Sequence, residues 1–487
     1  MENLYYVGID LGTSSCKGIL TNKDGDIFKE ESYDYDVHYF GNCSEQNPQD
    51  WLDAVTDVID RLSEGIREKI AGISIAGQMH GLVMLDENDE VIRPAILWND
   101  GRSRKQTAYL NDVIGKEKLS NLTGNIAFSG FTAPKILWVY ENEPENFKKI
   151  RKICLPKDYI AYKLTGVFST EYSDASGMLL LDVKSKKWSE EMCGICHVDE
   201  KWLPRLFESY EAVGKLKPEY GLKNAMVIAG AGDNASAAIG TATVNNGDCN
   251  VSLGTSGTVF VAMDNFFAPH GNTLHSFAHS TGKYHLMGCI LSAASCNKWW
   301  IEDILKTKNY DGEIDEQKLG ENDVIFLPYL MGERSPHNNE HARGAFFGMK
   351  PDTSRGDMTL SVLEGVAFAL RDCVEIARQN GVTVNKINLC GGGAKGKVWR
   401  KVIANVLNVS VYMTKTEQSA SYGASILSMV GTGAYKDVYE ATSSVVKSSL
   451  VEIQDSETVE KYNKKYEIYK HIYPALVPIY EELYKGE

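Results

Sequence analysis

Nowhere in its 487 residues does this chain carry an apolar run approaching the length of a membrane span, which excludes a membrane-crossing helix. It has no low-complexity segment. It also lacks an excess of positive charge. Its 51 Lys and Arg stand against 65 Asp and Glu, a net charge of −14, which opposes partnership with nucleic acid or an anionic membrane surface. The first six residues show neither a basic region nor an apolar core, so no secretory signal is expected there. The ten cysteines are scattered through predicted strands and helices, as expected of reduced, buried thiols in a cytoplasmic protein. One cluster, Cys193-x-x-Cys196-His197, has the spacing of a haem attachment site. With no export signal and no second ligand pair nearby for zinc, it carries no chemistry.

What the chain does have is a motif used twice. Asp10-Leu11-Gly12-Thr13-Ser14-Ser15 near the start returns as Ser252-Leu253-Gly254-Thr255-Ser256-Gly257 in the second half. Each copy is flanked by strand-like runs, over 5–9 and 16–20 for the first and 249–251 and 258–262 for the second. Each therefore predicts a β-hairpin with a Gly-Thr-Ser tip. Such a tip offers backbone N–H groups and hydroxyls with little bulk, which suits phosphate oxygens. Two copies suggest one polyphosphate held between two related domains. They differ at their first residue. A carboxylate, Asp10, opens one copy and Ser252 opens the other, and a nucleotide cleft needs one acidic group for its Mg²⁺.

The rest of the chain reads as mixed α/β. Its 43% hydrophobic and 24% charged residues are those of a soluble globular protein with room for two or more cores. Strands are expected over 5–11, 16–21, 27–33, 70–76, 82–85, 91–98 and 224–229, and a helix over 48–63. Residues 101–196 read as mostly helical. The turn Asn245-Asn246-Gly247-Asp248 marks a boundary between domains over 1–244 and 245–487. Beyond it an amphipathic helix is expected over 359–380, a strand-turn-helix unit at 387–406, a strand over 410–414, a helix over 419–429 and a helical tail.

Several loops are chemically suggestive. Gly391-x4-Gly396-Lys397 resembles a phosphate-binding loop, but Val398 stands where a Mg²⁺-binding hydroxyl belongs. Its run Gly391-Gly392-Gly393 instead suits a flat ring or ribose lying on the backbone. Gly230-x-Gly232-x-x-Ala235 follows a strand like a dinucleotide fingerprint, yet Asp233 inside it would repel a pyrophosphate. Asp233 starts a helix, so it is either an N-cap or an ionised carboxylate able to take a proton from a hydroxyl. Gln78-Met79-His80 ends a strand between Gly77 and Gly81, which argues for close approach by a ligand. Trp98-Asn99-Asp100-Gly101-Arg102 suits a sugar, or is simply a turn.

Together these residues resemble the FGGY family of carbohydrate kinases. One family signature is matched over 130–142, with Lys135 and Trp138 in place. The other is matched by Arg343-Gly344-Ala345-Phe346-Phe347-Gly348-Met349 through Asp357-Met358 to Ser361-Val362-Leu363-Glu364. Within the family, Ala76-Gly77-Gln78-Met79-His80-Gly81, Leu155-Pro156-Lys157-Asp158-Tyr159, Ser292-Ala293-Ala294-Ser295-Cys296 and Gly332-Glu333-Arg334-Ser335-Pro336-His337 look like its xylulose-phosphorylating branch. Glycerol kinases carry an Arg-Glu pair where Met79-His80 stands.

The resemblance implies two actin/hexokinase-like, ribonuclease H-like ATPase domains with a cleft between them. It implies ATP and Mg²⁺ as cofactors, a small sugar as substrate, D-xylulose or a ribulose-like alternative, and allows a homodimer. Asp233 would be the catalytic base, and Asp10 the carboxylate linked to Mg²⁺ through water, with Asp233 a second candidate for the ion. Gln78, Met79, His80, Asp100 and Asn234 would line the sugar. Thr13, Ser14, Lys17, Gly254, Thr255, Ser256, Gly392, Gly393 and Ala394 would hold the nucleotide. One departure is Ser419-Ala420-Ser421-Tyr422-Gly423, where many members of that branch have Gly-Pro-Ala-Leu-Gly. A non-catalytic actin-like nucleotide switch is the alternative from another class, and the Gly-flanked Asp233 disfavours it.

Overall fold

Two sheets of the same topology make up the core of the structure, a computed structural model that describes residues 4–310 and 313–485. The first holds β1 (Tyr5–Leu11), β2 (Ser15–Asn22), β3 (Ile27–Asp34), β4 (Ile70–Gly77), β5 (Ala212–Lys215) and β6 (Met226–Gly232), in the order β5-β6-β4-β1-β2-β3. The second holds β7 (Asp248–Leu253), β8 (Gly257–Met263), β9 (His275–Ala278), β10 (Tyr284–Ile290), β11 (Lys386–Cys390), β12 (Ser410–Thr414) and β13 (Ser448–Glu452). Its order is β9-β10-β8-β7-β11-β12-β13. In each, an antiparallel three-strand meander is followed by two strands running parallel to its first member. This is the actin/hexokinase-like α/β architecture expected from the sequence.

Both Gly-Thr-Ser segments are hairpin tips. Leu11 pairs with Cys16 and Asp10 with Lys17. In the second hairpin Leu253 pairs with Gly257 and Ser252 with Thr258. A charged cross-strand pair in one copy thus becomes a hydroxyl pair in the other.

The two-residue period of β1 sorts its side chains. Val7, Ile9 and Leu11 pack with Trp51, Val55, Val58 and Leu62 of α1 (Pro48–Ser63). That helix has the bounds the periodicity predicts, because Asn47 caps it through Gln49 N–H at 3.2 Å and Pro48 pre-sets its first turn. Tyr6, Gly8 and Asp10 face the other way. Over them lies α5 (Ser419–Gly431), which follows a strand of the second sheet but packs on the first. Its approach is closer than side chains allow. A methyl on Gly8 would fall 1.9 Å from the Ser421 carbonyl oxygen. A methyl on Gly423 would fall 1.8 Å from that of Ser236 on α2 (Asp233–Gly240). The far end of α2 is fastened to the second sheet, where Asn250 and Asn388 donate to Thr241 and Thr243 at 3.3 and 3.1 Å. The crossed pair α2 and α5 therefore joins the two sheets, and the small residues of the 419–423 stretch are what permit the crossing.

Two expectations need correction. The strand over 91–98 is only Ala95–Ile96. Pro94 has no N–H to give a ladder, and Arg93 is drawn into ion pairs with Glu45 and Glu143. The helix expected to be amphipathic over 359–380 is α3 (Arg355–Gln379), started earlier by a Ser354–Asp357 capping box. It is buried on nearly every side, because the C-terminal helix α6 (Ser456–Leu483) covers the face that would meet water. There Lys465 and Tyr462 hold the buried Glu364 at 2.5 and 2.9 Å. Between α3 and α5, in chain order, lies α4 (Lys397–Leu407) behind the glycine loop. Among the described residues no helix is long and apolar enough to cross a membrane, and all ten cysteines are free thiols. Cys193 and Cys196 are buried and His197 stacks on Tyr140, so that cluster is packing.

Candidate active site

Register assembles the site. β4 lies between β1 and β6, with Leu11 opposite Gly77 and Gly77 opposite Gly232. The parallel strands end together, so Asp10, Gln78 and Asp233 emerge side by side. A bulge in β6 at residues 229–230 sets this ending. Gly230 there has φ 80°, and a methyl on it would meet the Ile75 carbonyl oxygen at 2.0 Å.

Asp233 is the first residue of α2 rather than its cap, which is Gly232. One oxygen accepts from the Asn234 backbone and side-chain nitrogens at 2.7 and 2.8 Å, and the other has no hydrogen-bond partner among the described residues. Burial pushes its carboxyl up to about 6, against those two bonds. Burial also pushes Asp10 up to about 7, the Asp233 charge adds to this, and Lys17 opposes it. Two carboxyls that strain against ionising side by side form a seat for a cation. Among the described residues no group of three or more His, Cys, Asp or Glu could hold an ion unaided. A pair of carboxylates nonetheless fits Mg²⁺, which keeps waters and takes phosphate oxygens for the rest of its shell.

Beyond Asp233 the wall turns polar on one side and aromatic on the other. Thr13 donates to Gln78 Oε1 at 3.2 Å and accepts from the Trp98 indole at 2.9 Å. Gln46 ties this corner together, holding the Thr13 carbonyl at 2.7 Å and the Gln78 amide at 3.1 Å. Met79 sits beneath Gly232, where a methyl would come within 3.0 Å of its Cγ. His80 has φ 71°, and its Nδ1 lies 3.1 Å from the Gly177 carbonyl, which can only accept. That bond puts the proton on Nδ1 and leaves Nε2 as an acceptor. Burial, then the charge of Lys135, holds the ring well below its ordinary value, hence neutral.

Asp100 stands apart from this wall. Its side chain is fully buried, with its oxygens taken by Arg102 and by Ser44 N–H at 2.6 Å, so it clamps the loop rather than facing a ligand.

The corresponding strands of the second sheet end in the second hairpin and the glycine loop, with Ser252 paired to Cys390. Thr255 and Ser256 are exposed at the tip, and the Gly254 and Thr255 carbonyls are anchored by Ala294 and Ala293 N–H at 2.8 and 2.9 Å. Gly393 packs on Leu253, which sets residues 392–394 beside 254–256. Ser14 is exposed at the first tip. Lys17 stands one pair back, opposite Asp10, and opens onto a cavity of about 700 Å³ between the two halves, shared with Glu30, Gln418 and Tyr422.

Sequence reasoning missed a buried cluster behind Asp233. There Lys157 pairs with Asp158 at 2.7 Å and with Glu171 and Asp174 at 3.6 Å. Glu171 holds Ser173, whose hydroxyl accepts from Gly232 N–H at 3.1 Å. The pair at 157–158, the acids at 171 and 174 and Gly232 come from three separate stretches of chain, and no spacing signals their meeting.

A repeated hairpin-led sheet, with two carboxyls at the strand ends of one copy and glycine-rich turns at those of the other, is the architecture of the actin/hexokinase-like class. The family comparison narrows this. The N-terminal domain of the FGGY family of carbohydrate kinases matches residues 5–240 and its C-terminal domain residues 249–432. The chain belongs to the FGGY family of carbohydrate kinases, and is an enzyme of that class. It is similar to the xylulose kinase of Bacillus subtilis (strain 168), with 35% identity over 482 residues covering 96% of each chain. Among solved structures it is similar to a ligand-bound xylulose kinase of Lactobacillus acidophilus (TM-score 0.93, 26% identity, covering 98% of this chain and 99% of that one). It is equally similar to a gluconate kinase from the same organism (TM-score 0.94, 26% identity, covering 99% and 100%). At that distance the fold does not select the sugar.

Proposed function

We propose that this kinase transfers the γ-phosphoryl group of ATP to D-xylulose, giving D-xylulose 5-phosphate. The observation that carries the reading is the register that brings Asp10, Gln78 to His80 and Asp233 together at the ends of β1, β4 and β6, while the matching strands of the second sheet end in the glycine-rich turns at 254–256 and 392–394. The full-length likeness to xylulose kinases supports the choice of sugar.

In this reading residues 1–244 hold the sugar and the base, and residues 245–487 most of the nucleotide. Asp233 accepts the proton of the attacking hydroxyl, using the oxygen that Asn234 leaves free. Its raised affinity for a proton suits that task near neutral pH. His80 Nε2 accepts from a sugar hydroxyl and Met79 supplies an apolar floor. Asn234 orients Asp233 and borders the sugar. Thr13 and Ser14 and the second tip cradle the phosphates, and Lys17 adds a positive charge beside Asp10. Asp10, with Asp233 beside it, would hold Mg²⁺ through water. When bound, Mg²⁺ neutralises charge on the β- and γ-phosphates. Closure of the two halves about α2 and α5 would exclude water from the transfer. The setting proposed is the cytoplasm.

An ADP-coupled assay over D-xylulose, D-ribulose, gluconate and glycerol tests this. D-xylulose should give the highest kcat/KM by about tenfold or more. The gluconate kinase likeness makes gluconate the pointed comparison, and a preference for it would overturn the choice of sugar.

A further inference from the structure

One cation at this wall is unmatched. Arg334 reaches from the second half toward the sugar wall of the first. Its guanidinium lies 5.7 Å from the Phe128 ring, and its Nη2 is 4.0 Å from where a methyl on Gly130 would stand. Gly130 is itself part of the wall, because Lys135 donates to both its carbonyl and that of His80, at 2.7 and 2.9 Å. Among the described residues the Arg334 side chain makes no hydrogen bond and no ion pair. The adjacent acid, Glu333, does not serve. It is buried, accepts from Leu291 and Arg334 N–H at 3.2 and 2.7 Å, and forms no ion pair with the Arg334 guanidinium; burial pushes it up to about 8, against those bonds and the Arg334 charge. The Arg334 charge bears on both His80 and His275. Arg334 is half-buried, so a ligand can reach it.

An unpaired, partly desolvated guanidinium at a ligand wall calls for an acceptor from the ligand. The order of residues decides which acceptor. Asp233 stands at one end, Met79 beneath Gly232 comes next, then His80, then Phe131, Phe128 and Arg334. A sugar that offers its terminal hydroxyl to Asp233 runs along this wall with its other end toward Arg334. In a 2-ketopentose that end is the C2 carbonyl and the C1 hydroxyl, two acceptors that the planar fork of an arginine can meet together.

We propose that Arg334 is a specificity residue that reads the carbonyl end of the ketose, supplied by the half of the chain opposite the catalytic base. This rests on the ketopentose reading above. It explains how a site can separate a ketose from its reduced pentitol. The pentitol offers a hydroxyl at C2, which can donate as well as accept and satisfies a cationic donor less well. The sugar would then also bridge the two halves before nucleotide binds.

Titration calorimetry with D-xylulose and with xylitol, without nucleotide, on wild type, Arg334→Met and Arg334→Lys tests this. Arg334→Met should weaken D-xylulose binding about tenfold or more and xylitol binding about twofold or less. Arg334→Lys, which keeps the charge and loses the fork, should fall between. The KM for ATP and the Tm should stay near wild type. Equal losses for ketose and pentitol, or no loss for either in a folded variant, would overturn the proposal. So would a change confined to the KM for ATP. The sugar panel on wild type separates the two readings. If another 2-ketose is preferred, the comparison is made with that sugar and its reduced form. If a sugar without a ketone is preferred, both readings fall.

Discussion

The buried Lys135 Nζ, whose proton affinity burial lowers to about 7, donates to the carbonyl oxygen of His80 over 2.9 Å, alongside the Thr132 hydroxyl at 3.1 Å. His80 has φ 71°, a left-handed conformation that a non-glycine residue holds only when its surroundings impose it. Lys135 and Thr132 impose it, and so aim the imidazole at the wall.

Lys135→Met keeps much of the bulk and removes the bonds to His80 and Gly130. The KM for sugar should rise about tenfold, the worth of roughly one charged hydrogen bond, while the KM for ATP stays within about twofold. Steady-state kinetics in both substrates, with Tm on the same preparation, checks this. A fall in Tm with both KM values unchanged would make Lys135 structural only.

Asp233→Asn should lower kcat by about two to four orders of magnitude with the affinity for ATP nearly unchanged, since the amide keeps the shape and loses the proton acceptor. The sign of the pH dependence follows from the raised carboxyl. It works deprotonated, and burial holds it at about 6 in the free protein, so wild-type kcat/KM should climb as pH rises through that value. A bound cation favours the ionised form and should move the climb to lower pH. A pH profile of kcat/KM, flat through this region at low Mg²⁺, would remove Asp233 from the role of base.

Much of this arrangement is legible in the sequence where structure is local. The hairpin tips, the end of β4 and the bounds of α1 follow from alternation, turn residues and caps over a few positions, whereas β6 runs three residues past the expected end at 229 because of its bulge. Residues joined only by tertiary packing are not legible. Nothing in the spacing of Lys157, Glu171 and Asp174 says that they meet behind Gly232, and nothing near Arg334 says that it reaches Phe128. Asp100 looks like a sugar ligand because it ends a polar strand segment, but Arg102 two residues on takes its carboxylate. α5 reads as an ordinary small-residue helix of the second half. The close approach at Gly8 and the 2.5 Å hydrogen bond between the Thr21 and Ser425 hydroxyls show that it lies on the first sheet.

Asp10→Asn should abolish the metal-dependent step yet stabilise the apoprotein at alkaline pH. Burial raises the Asp10 carboxyl from 3.8 to about 7. Its charged form is therefore the disfavoured one in the fold, and the destabilisation is fully present above that value. It fades as pH falls through about 7 toward the unfolded value, where both states are protonated. Asn removes the charge at every pH. The Tm of the variant should exceed that of wild type by about 2 °C at alkaline pH, with the gain shrinking toward about pH 5. Thermal melts in EDTA at several pH values check this. A gain independent of pH, or a loss at alkaline pH, would contradict a burial cost that the Lys17 charge does not offset.

The glycine loop permits a cleaner test than most, because a side chain at Gly392 would meet none of the described residues. A methyl placed there has no neighbour within 4 Å, and the residue lies in a short 3₁₀ turn with a φ that any residue adopts. Gly393 beside it is different, since a methyl there would meet the Trp399 ring at 2.7 Å and Leu253 Cβ at 2.9 Å. Gly392→Ala should therefore leave the fold unchanged, with a Tm within about 1 °C of wild type. If the nucleotide lies against this loop, the added methyl holds it off the backbone. The KM for ATP should then rise about tenfold while the KM for sugar stays put. Gly393→Ala should lower both Tm and ATP affinity, so the pair of variants separates a packing effect from a ligand effect. An unchanged KM for ATP in Gly392→Ala would move the nucleotide off residues 392–394, toward the Lys17 cavity between the two halves.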